Sequence, residues 1–512
     1  MKIRRREFLF GAAALSAMTL RPPSARALDQ ESLDITLTAA PFRFAPAAGV
    51  DFDGLAYNGM VPGPLIRVGL GQMLRANFVN RSGRPGTIHW HGMVLPNGMD
   101  GAEGVTQDAV PDGAETVYSF KAEPSGLRWY HSHPVVEQAR GLFGALIVVD
   151  PKDEPADVEA VIVLHEVPDL KSFAAAVAGN SGAPMLAPSD APELAMHRRM
   201  MAGMDMAHMD HAPAKGAGHD MPGMDMSHMD HGAPGGAHAM GMGDEVAYVA
   251  RCVNGGSYPK NAPILVKPGQ RVRLRILNAS PNRTHYVRLG GHRLKVTHSD
   301  GNALPAPVNV DVLRIGAAER YDAWFEVKER GAWLLQSIAN DAMAKQQAVR
   351  VHTVGYEAAE PVRPAAVLKG ANVFSYAAAG AASTLKLPAA DLTRNMVLNG
   401  GTMGDPDWTI DGKIWPDVPP VQVRSGNRVL IRFRNDSMMD HPMHLHGHVF
   451  DLVEVDGRSL AKPLRKDTTL VGGMGGTASW LVTANAPPGR WLLHCHNAVH
   501  MAGGMMTEMV YI

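Results

Sequence analysis

Four histidine pairs stand out in this chain: His89/His91, His131/His133, His444/His446 and His494/His496, each with one residue between its members. On a β-strand, residues i and i+2 share a face, so each pair would present two imidazoles side by side. Eight neutral imidazoles without a carboxylate among them suit a borderline metal such as copper. At two or three ligands per ion they hold three ions and leave open positions for a small molecule. The pairs come from opposite ends of the chain, so they meet only if those ends pack together.

One of the chain's two cysteines lies inside the last pair, as His494-Cys495-His496. On a strand its thiol points away from the face of its neighbours and therefore toward a different ion. A thiolate, two histidines and a weak axial methionine make the trigonal blue-copper arrangement for electron transfer. His500 and Met505 follow in the same loop, and His441 of HPMHLHGH (441–448) supplies the second imidazole. Electrons taken up at Cys495 then cross one residue's backbone to reach the histidine cluster. The other cysteine, Cys252, reads as an ordinary small buried residue. The composition agrees: 30 Met and 23 His against 2 Cys in 512 residues. A formal net charge of −1 leaves no electrostatic footprint for nucleic acid.

The elements that must position these residues recur three times. IRVGLGQMLRANFVN (66–80), ILVKPGQRVRLRILN (264–278) and VQVRSGNRVLIRFRN (421–435) share a Gly at the sixth position, Gln or Asn at the seventh, and a closing Asn. Period-two alternation around a Gly break predicts paired β-strands. A second element repeats as GLRWYHSH (126–133), GAWLLQSI (331–338) and GRWLLHCH (489–496). An all-β chain of three β-sandwich domains follows, over residues 28–152, 153–356 and 385–512. Residues 357–384, rich in Ala and Pro and without periodicity, read as a linker. At matched offsets the middle copy carries Val287, Leu289, Gln336 and Ile338 where the outer copies carry histidine, so it is expected to be structural.

Residues 1–27 read as an export signal. Arg5-Arg6-Glu7-Phe8-Leu9 gives a twin-arginine pattern, a short apolar run follows, and Ala25-Arg26-Ala27 supplies a cleavage site. The run is shorter than the ~20 residues of a spanning helix, so no stable membrane anchor is expected. The mature protein is expected in the periplasm, delivered by the twin-arginine machinery, as a monomer. Inside the middle domain GMDMAHMDH (203–211) recurs as GMDMSHMDH (223–231). Residues 196–243 form a Met/His-rich low-complexity insert whose soft donors suit Cu(I): Met204, Met206, His208, Met209, Met224, Met226, His228 and Met229.

The segments HWHG (89–92), HSH (131–133), HPMHLHGH (441–448) and HCHNAVHMAGGM (494–505) together resemble those of the multicopper oxidase family, and the resemblance covers essentially the whole mature chain. It implies three cupredoxin-like Greek-key sandwiches and four copper ions, one of type 1, one of type 2 and two of type 3. His89 and His444 would hold type 2. His91, His131, His133, His446, His494 and His496 would hold the type 3 pair. Cys495, His441, His500 and Met505 would make type 1. The family oxidises a donor one electron at a time and reduces O₂ to water, which consumes protons. Asp100 matches the family's acid after HWHG as proton relay. Where a second acid often follows the type 1 histidine this chain has Met501, leaving Glu137 or water for that route. His448 is assigned to packing around the ligands.

YNGMVPGPLIRV (57–68), HWHGMVLPNGMDG (89–101) and the insert look closest to bacterial copper-resistance and cuprous oxidases. The expected donor is Cu(I), with phenols and diamines as side substrates and a role in copper tolerance. The alternative is a laccase with an organic donor. A non-catalytic copper-binding protein would lack ligands, and none is missing. A copper nitrite reductase would need neither eight clustered imidazoles nor a third domain.

Overall fold

The computed structural model describes residues 31–178, 246–338, 343–401 and 407–512. The export signal and the insert expected over 196–243 lie outside the described residues. Strands dominate, in six sheets that fall into three successive pairs. The first pair spans Ser32–Ala47 to Phe143–Val149, the second Val158–Pro168 to Ala348–Thr353, and the third Ala382–Ser383 to Met506–Tyr511. No helix among the described residues is long and apolar enough to cross a membrane.

The repeated segment does form two strands, but they do not pair with each other. Ile66–Gly69 lies in the sheet of Gly126–His131, whereas Met73–Asn80 lies in the facing sheet beside Ser32–Ala47 and Glu115–Lys121. The other two copies divide in the same way. The Gly break is therefore a crossing between the two layers rather than a hairpin. Gly71, Gly269 and Gly426 sit at φ of +79°, +84° and +87°, with open space where a Cβ would stand. It is the backbone conformation, not room, that demands glycine. The seventh residue closes the turn: the side-chain oxygens of Gln72, Gln270 and Asn427 accept from the backbone N–H groups of Gly69, Lys267 and Arg424 at 2.7–2.9 Å.

The closing Asn is buried in each copy and ties the layers together. Asn435 Nδ2 donates to the carbonyls of Met439 (2.7 Å) and Val471 (3.1 Å), while its Oδ1 accepts from Ser437. Asn278 repeats this with Arg283, Ile315 and Ser280, and Asn80 with Arg84, Val110 and Ser82.

The histidine strands are adjacent antiparallel pairs. His89 stands opposite His131, and His444 opposite His494. The middle copy is one residue out, pairing Val287 with Ser337. Alternation sends Trp90 and Tyr130, like Met443, Leu445 and Cys495, into the hydrophobic core. Their histidine neighbours turn to the opposite face.

Residues 357–384 are more ordered than their composition suggests. They include the helix Tyr376–Ala379 and the strand Ala382–Ser383. The Tyr376 hydroxyl donates to Glu319 of the middle domain (2.5 Å) and accepts from the Leu470 N–H of the third (3.0 Å). The anchors are single aromatic side chains, which leave no periodic trace.

Asn278 is far in sequence from any ligand histidine, so its replacement reports on the fold rather than on the site. Asn278→Ala strands two carbonyls and is expected to destabilise the chain by roughly 2–4 kcal/mol. A denaturation midpoint equal to that of wild type would remove this asparagine from the account of the fold.

Candidate metal centre

The faces carrying the four pairs meet between the first and third domains. Three trios of ring nitrogens form there, each within 4.8 Å: His89/His91/His444, His91/His131/His496 and His133/His446/His494. The rings of His89 and His446 stack at 3.8 Å between centroids, and those of His91 and His444 at 3.7 Å. A fourth group lies on the other side of the 494–496 segment and comprises His441, Cys495 and His500.

A neutral imidazole carries one N–H and one bare nitrogen, and which is which follows from its bonds. His89 Nδ1 donates to the Asp100 carbonyl, His131 Nδ1 to that of Ser132, His444 Nδ1 to that of Asp467 and His494 Nδ1 to that of Cys495, at 2.8–2.9 Å. His446 Nδ1 instead meets the Asp100 carboxylate Oδ2 at 2.8 Å. His91 is turned over: its Nε2 bonds Thr468 Oγ1 at 3.0 Å and Asp467 Oδ1 at 3.2 Å.

The inward nitrogens are left bare. Nε2 of His89, His131, His133, His444 and His496, and Nδ1 of His91, have no hydrogen-bond partner although fully buried. His446 Nε2 and His494 Nε2 face each other at 2.9 Å, with the outer nitrogen of each already donating. Two lone pairs at that separation repel unless a cation lies between or beside them. This is the donor set that copper fits: soft-to-borderline nitrogens, pre-aimed, with their outer atoms bonded.

Burial, with smaller contributions from neighbouring rings, holds His91, His131, His133, His444, His446 and His496 well below the usual imidazole range. Burial also pushes His494 down to about 4. These seven rings are therefore neutral and ready to coordinate at physiological pH.

In the fourth group Cys495 Sγ lies 3.7 Å from His441 Nδ1 and 3.5 Å from His500 Nδ1, and these two nitrogens are 2.9 Å apart. His441 Nε2 bonds Ser437 Oγ at 2.8 Å. Met505 is fully buried and its backbone carbonyl accepts from the Cys495 N–H. Neither cysteine is in a disulfide, and burial raises the Cys252 thiol to about 12, which keeps it inert.

A narrow cavity opens beside the cluster, lined by His131, His133, His494, His496, Val135, Gln138, Ala498 and Met501. No carboxylate lines it. Asp100 is buried, with Oδ1 3.4 Å from His89 Nδ1 and unbonded. Glu137 is on the short helix Val135–Ala139, paired with Arg84 at 3.7 Å, and it is Gln138 that lines the cavity. His448 bonds the His446 carbonyl and the Tyr511 hydroxyl, a packing role.

Sequence reasoning missed three contributors. Trp408 stacks on His500 at 3.6 Å and meets His441 edge-on, covering both rings. Ser437, two residues after the repeated Asn435, fixes His441 through its hydroxyl. Asp467 holds two ligand-type histidines and is itself gripped by Arg320 and Arg128. Burial opposes its charge, but the arginines outweigh that and keep the carboxyl below its usual range.

Family profiles described as multicopper oxidase match residues 41–153, 207–359 and 388–512. The chain is 32% identical over 505 residues to the multicopper oxidase MmcO of Mycobacterium tuberculosis, covering 98% of this chain and 92% of that protein. It is 27% identical to a copper resistance protein A homolog of Pseudomonas syringae pv. tomato, over 89% and 88% of the two chains. A laccase structure from Botrytis aclada superposes with a TM-score of 0.66 over 98% of this chain and 93% of that one, at 20% identity, and so shares the fold. The chain belongs to the multicopper oxidases and is an oxidoreductase that uses copper.

Proposed function

We propose that this protein is an exported cuprous oxidase that takes electrons one at a time from Cu(I) and reduces O₂ to water, with phenols and diamines as side substrates and copper tolerance as its role. The bare inward nitrogens, above all His446 Nε2 facing His494 Nε2 at 2.9 Å, carry the copper reading. In this reading four coppers are held: type 1 by His441, Cys495, His500 and Met505; type 2 by His89 and His444; the type 3 pair by His91, His131, His133, His446, His494 and His496. Bound there, copper supplies one-electron uptake from the donor and a four-electron store for O₂.

The chain's own residues arrange the rest. Cys495 is covalently continuous with His494 and His496, so its backbone joins the two groups. Trp408 shields the His500 face from water. Asp100 is the carboxyl placed to hold a proton, at the unbonded Oδ1 beside His89. The cavity edged by Val135, Ala498 and Met501 is small and mostly apolar, suited to a diatomic gas.

Support for Cu(I) as donor comes from the Met/His sequence between the described segments 31–178 and 246–338. Both described ends of that gap approach the type 1 helix Ala498–Ala502, which carries His500. Phe173, from Leu170–Val177, and Val246 share a hydrophobic cluster with Ala498 and Val499. A laccase with an organic donor is the second reading, favoured by the Botrytis likeness in fold alone. Periplasmic delivery rests on the twin-arginine pattern at residues 5–9.

Oxygen uptake with Cu(I) and with a phenol separates the readings, comparing the full chain with one lacking residues 196–243. The deletion is expected to lower Cu(I)-driven uptake several-fold while raising phenol turnover. Unchanged Cu(I) uptake, with phenol preferred throughout, would make the protein a laccase. Asp100→Asn keeps an acceptor for His446 but holds no proton. It is expected to slow O₂ reduction about 100-fold while the blue absorbance and its bleaching by donor persist; an unaltered rate excludes Asp100 as relay.

The neutral rings also set a pH dependence. Below about 6.5 an unfolded chain protonates histidines that the folded, metal-free chain keeps neutral, so acid favours unfolding. The denaturation midpoint of the metal-free protein should therefore fall as pH drops from about 6.5 toward the about 4 of His494. A flat profile across that window would show that the rings are already charged.

A further inference from the structure

The middle domain supplies no histidine to either group, yet one of its side chains reaches the cluster at one remove. Arg320 opens the strand Arg320–Glu326 and is fully buried. Its guanidinium grips Asp467 of the third domain with two parallel bonds, Nη1 to Oδ1 and Nη2 to Oδ2, both 2.6 Å. Its Nε donates to the Leu127 carbonyl of the first domain at 3.3 Å. One side chain thus touches all three domains.

Asp467 passes that constraint to two rings. Its Oδ1 meets His91 Nε2 at 3.2 Å, and its backbone carbonyl accepts from His444 Nδ1 at 2.8 Å. The Thr468 hydroxyl sits between, 3.0 Å from Asp467 Oδ1 and 3.0 Å from His91 Nε2. A planar fork fixes the plane of a carboxylate, whereas an ammonium fixes only a point. The orientation of a ligand ring is in turn set by the partner of its outer nitrogen.

Gly92, directly after His91, gives an independent sign that the space is reserved. At φ +78°, a Cβ there would lie 2.5 Å from Asp467 Oδ2 and 2.6 Å from Arg320 Nη2. Any side chain at this position enters the ion pair.

We infer that Arg320 is a positioning residue for the histidine cluster, acting through Asp467 on the type 2 ligand His444 and the type 3 ligand His91, and that it is the middle domain's contribution to that cluster. The inference rests on the copper placement proposed above. A plain interdomain clamp would behave differently, weakening domain packing and every copper site together. A positioning role moves the histidine cluster and leaves the Cys495 group unchanged.

The test uses the full chain loaded with copper, as wild type, Arg320→Lys and Gly92→Ala. Arg320→Lys keeps the charge and loses the fork; Gly92→Ala leaves both charges in place and crowds them. Chelator competition is followed by the type 2 EPR signal and by the blue absorbance, together with thermal unfolding of the metal-free chains. Type 2 affinity is expected to fall about tenfold in both variants, with altered EPR splitting and unchanged blue absorbance. Wild-type affinity and EPR in a folded variant overturn the inference. So does equal loss of both signals with a lowered unfolding temperature of the metal-free chain, which is the clamp. If Arg320→Lys does not fold, Gly92→Ala decides. A wild type with no type 2 signal overturns the copper placement, and the inference with it.

Discussion

A neutral imidazole has one proton for two nitrogens, and the centre of this protein depends on that fact. To offer a bare nitrogen inward, a buried ring must spend its proton outward, on an acceptor that also fixes the angle of the ring. The architecture supplies those acceptors: carbonyls of Asp100, Ser132, Asp467 and Cys495, and carboxylates of Asp100 and Asp467. Burial keeps His91, His131, His133, His444, His446, His494 and His496 from charging, so they do not repel one another as cations. The same burial would make the bare nitrogens costly without a cation to face.

The acceptors come from loops and strands of separate domains, and this explains how the domains join. Beside the apolar contacts that cross it, their junction holds a buried ionic network. Arg128, Arg320 and Lys466 meet Asp300, Glu319 and Asp467, all buried. The Lys466 ammonium lies 3.0 Å from Asp300 and 2.9 Å from Glu319, so the three positive and three negative groups are interlocked. Buried ion pairs seldom improve stability over well-packed apolar side chains, but they demand one geometry. At a boundary that must align histidines from two domains, one geometry is what is needed.

The histidine pairs and Cys495 were legible in the sequence because strand alternation has a period of two, and because the offsets repeat between the outer copies and lapse in the middle one. The repeat letters were legible too, but not their purpose. Gln72 and Asn80 read as pattern, and only the two-layer geometry shows one closing a turn and the other joining the sheets. Which strands pair was not legible, because alternation reports facing, not neighbours. Arg320 and Lys466 escaped for a related reason: a charge at the end of an alternating strand looks like the solvated face, whatever covers that face, and Asp467 lies in the bend between two strands. Glu137 and Gln138 differ by one step of a helix, a phase that no composition reveals.

Four of the eight rings in the cluster donate to main-chain carbonyls, and two of those carbonyls belong to the residue immediately following the ring, Ser132 after His131 and Cys495 after His494. The tautomer of these rings is thus written into the path of the backbone and not into the identity of any neighbour. Substitutions around them can accumulate without changing which nitrogen is bare, so long as the strand keeps its course. His91 and His446, which donate to carboxylate side chains, have no such freedom. The centre consequently holds four rings that tolerate drift and two that do not, and Asp100 and Asp467 serve both sets.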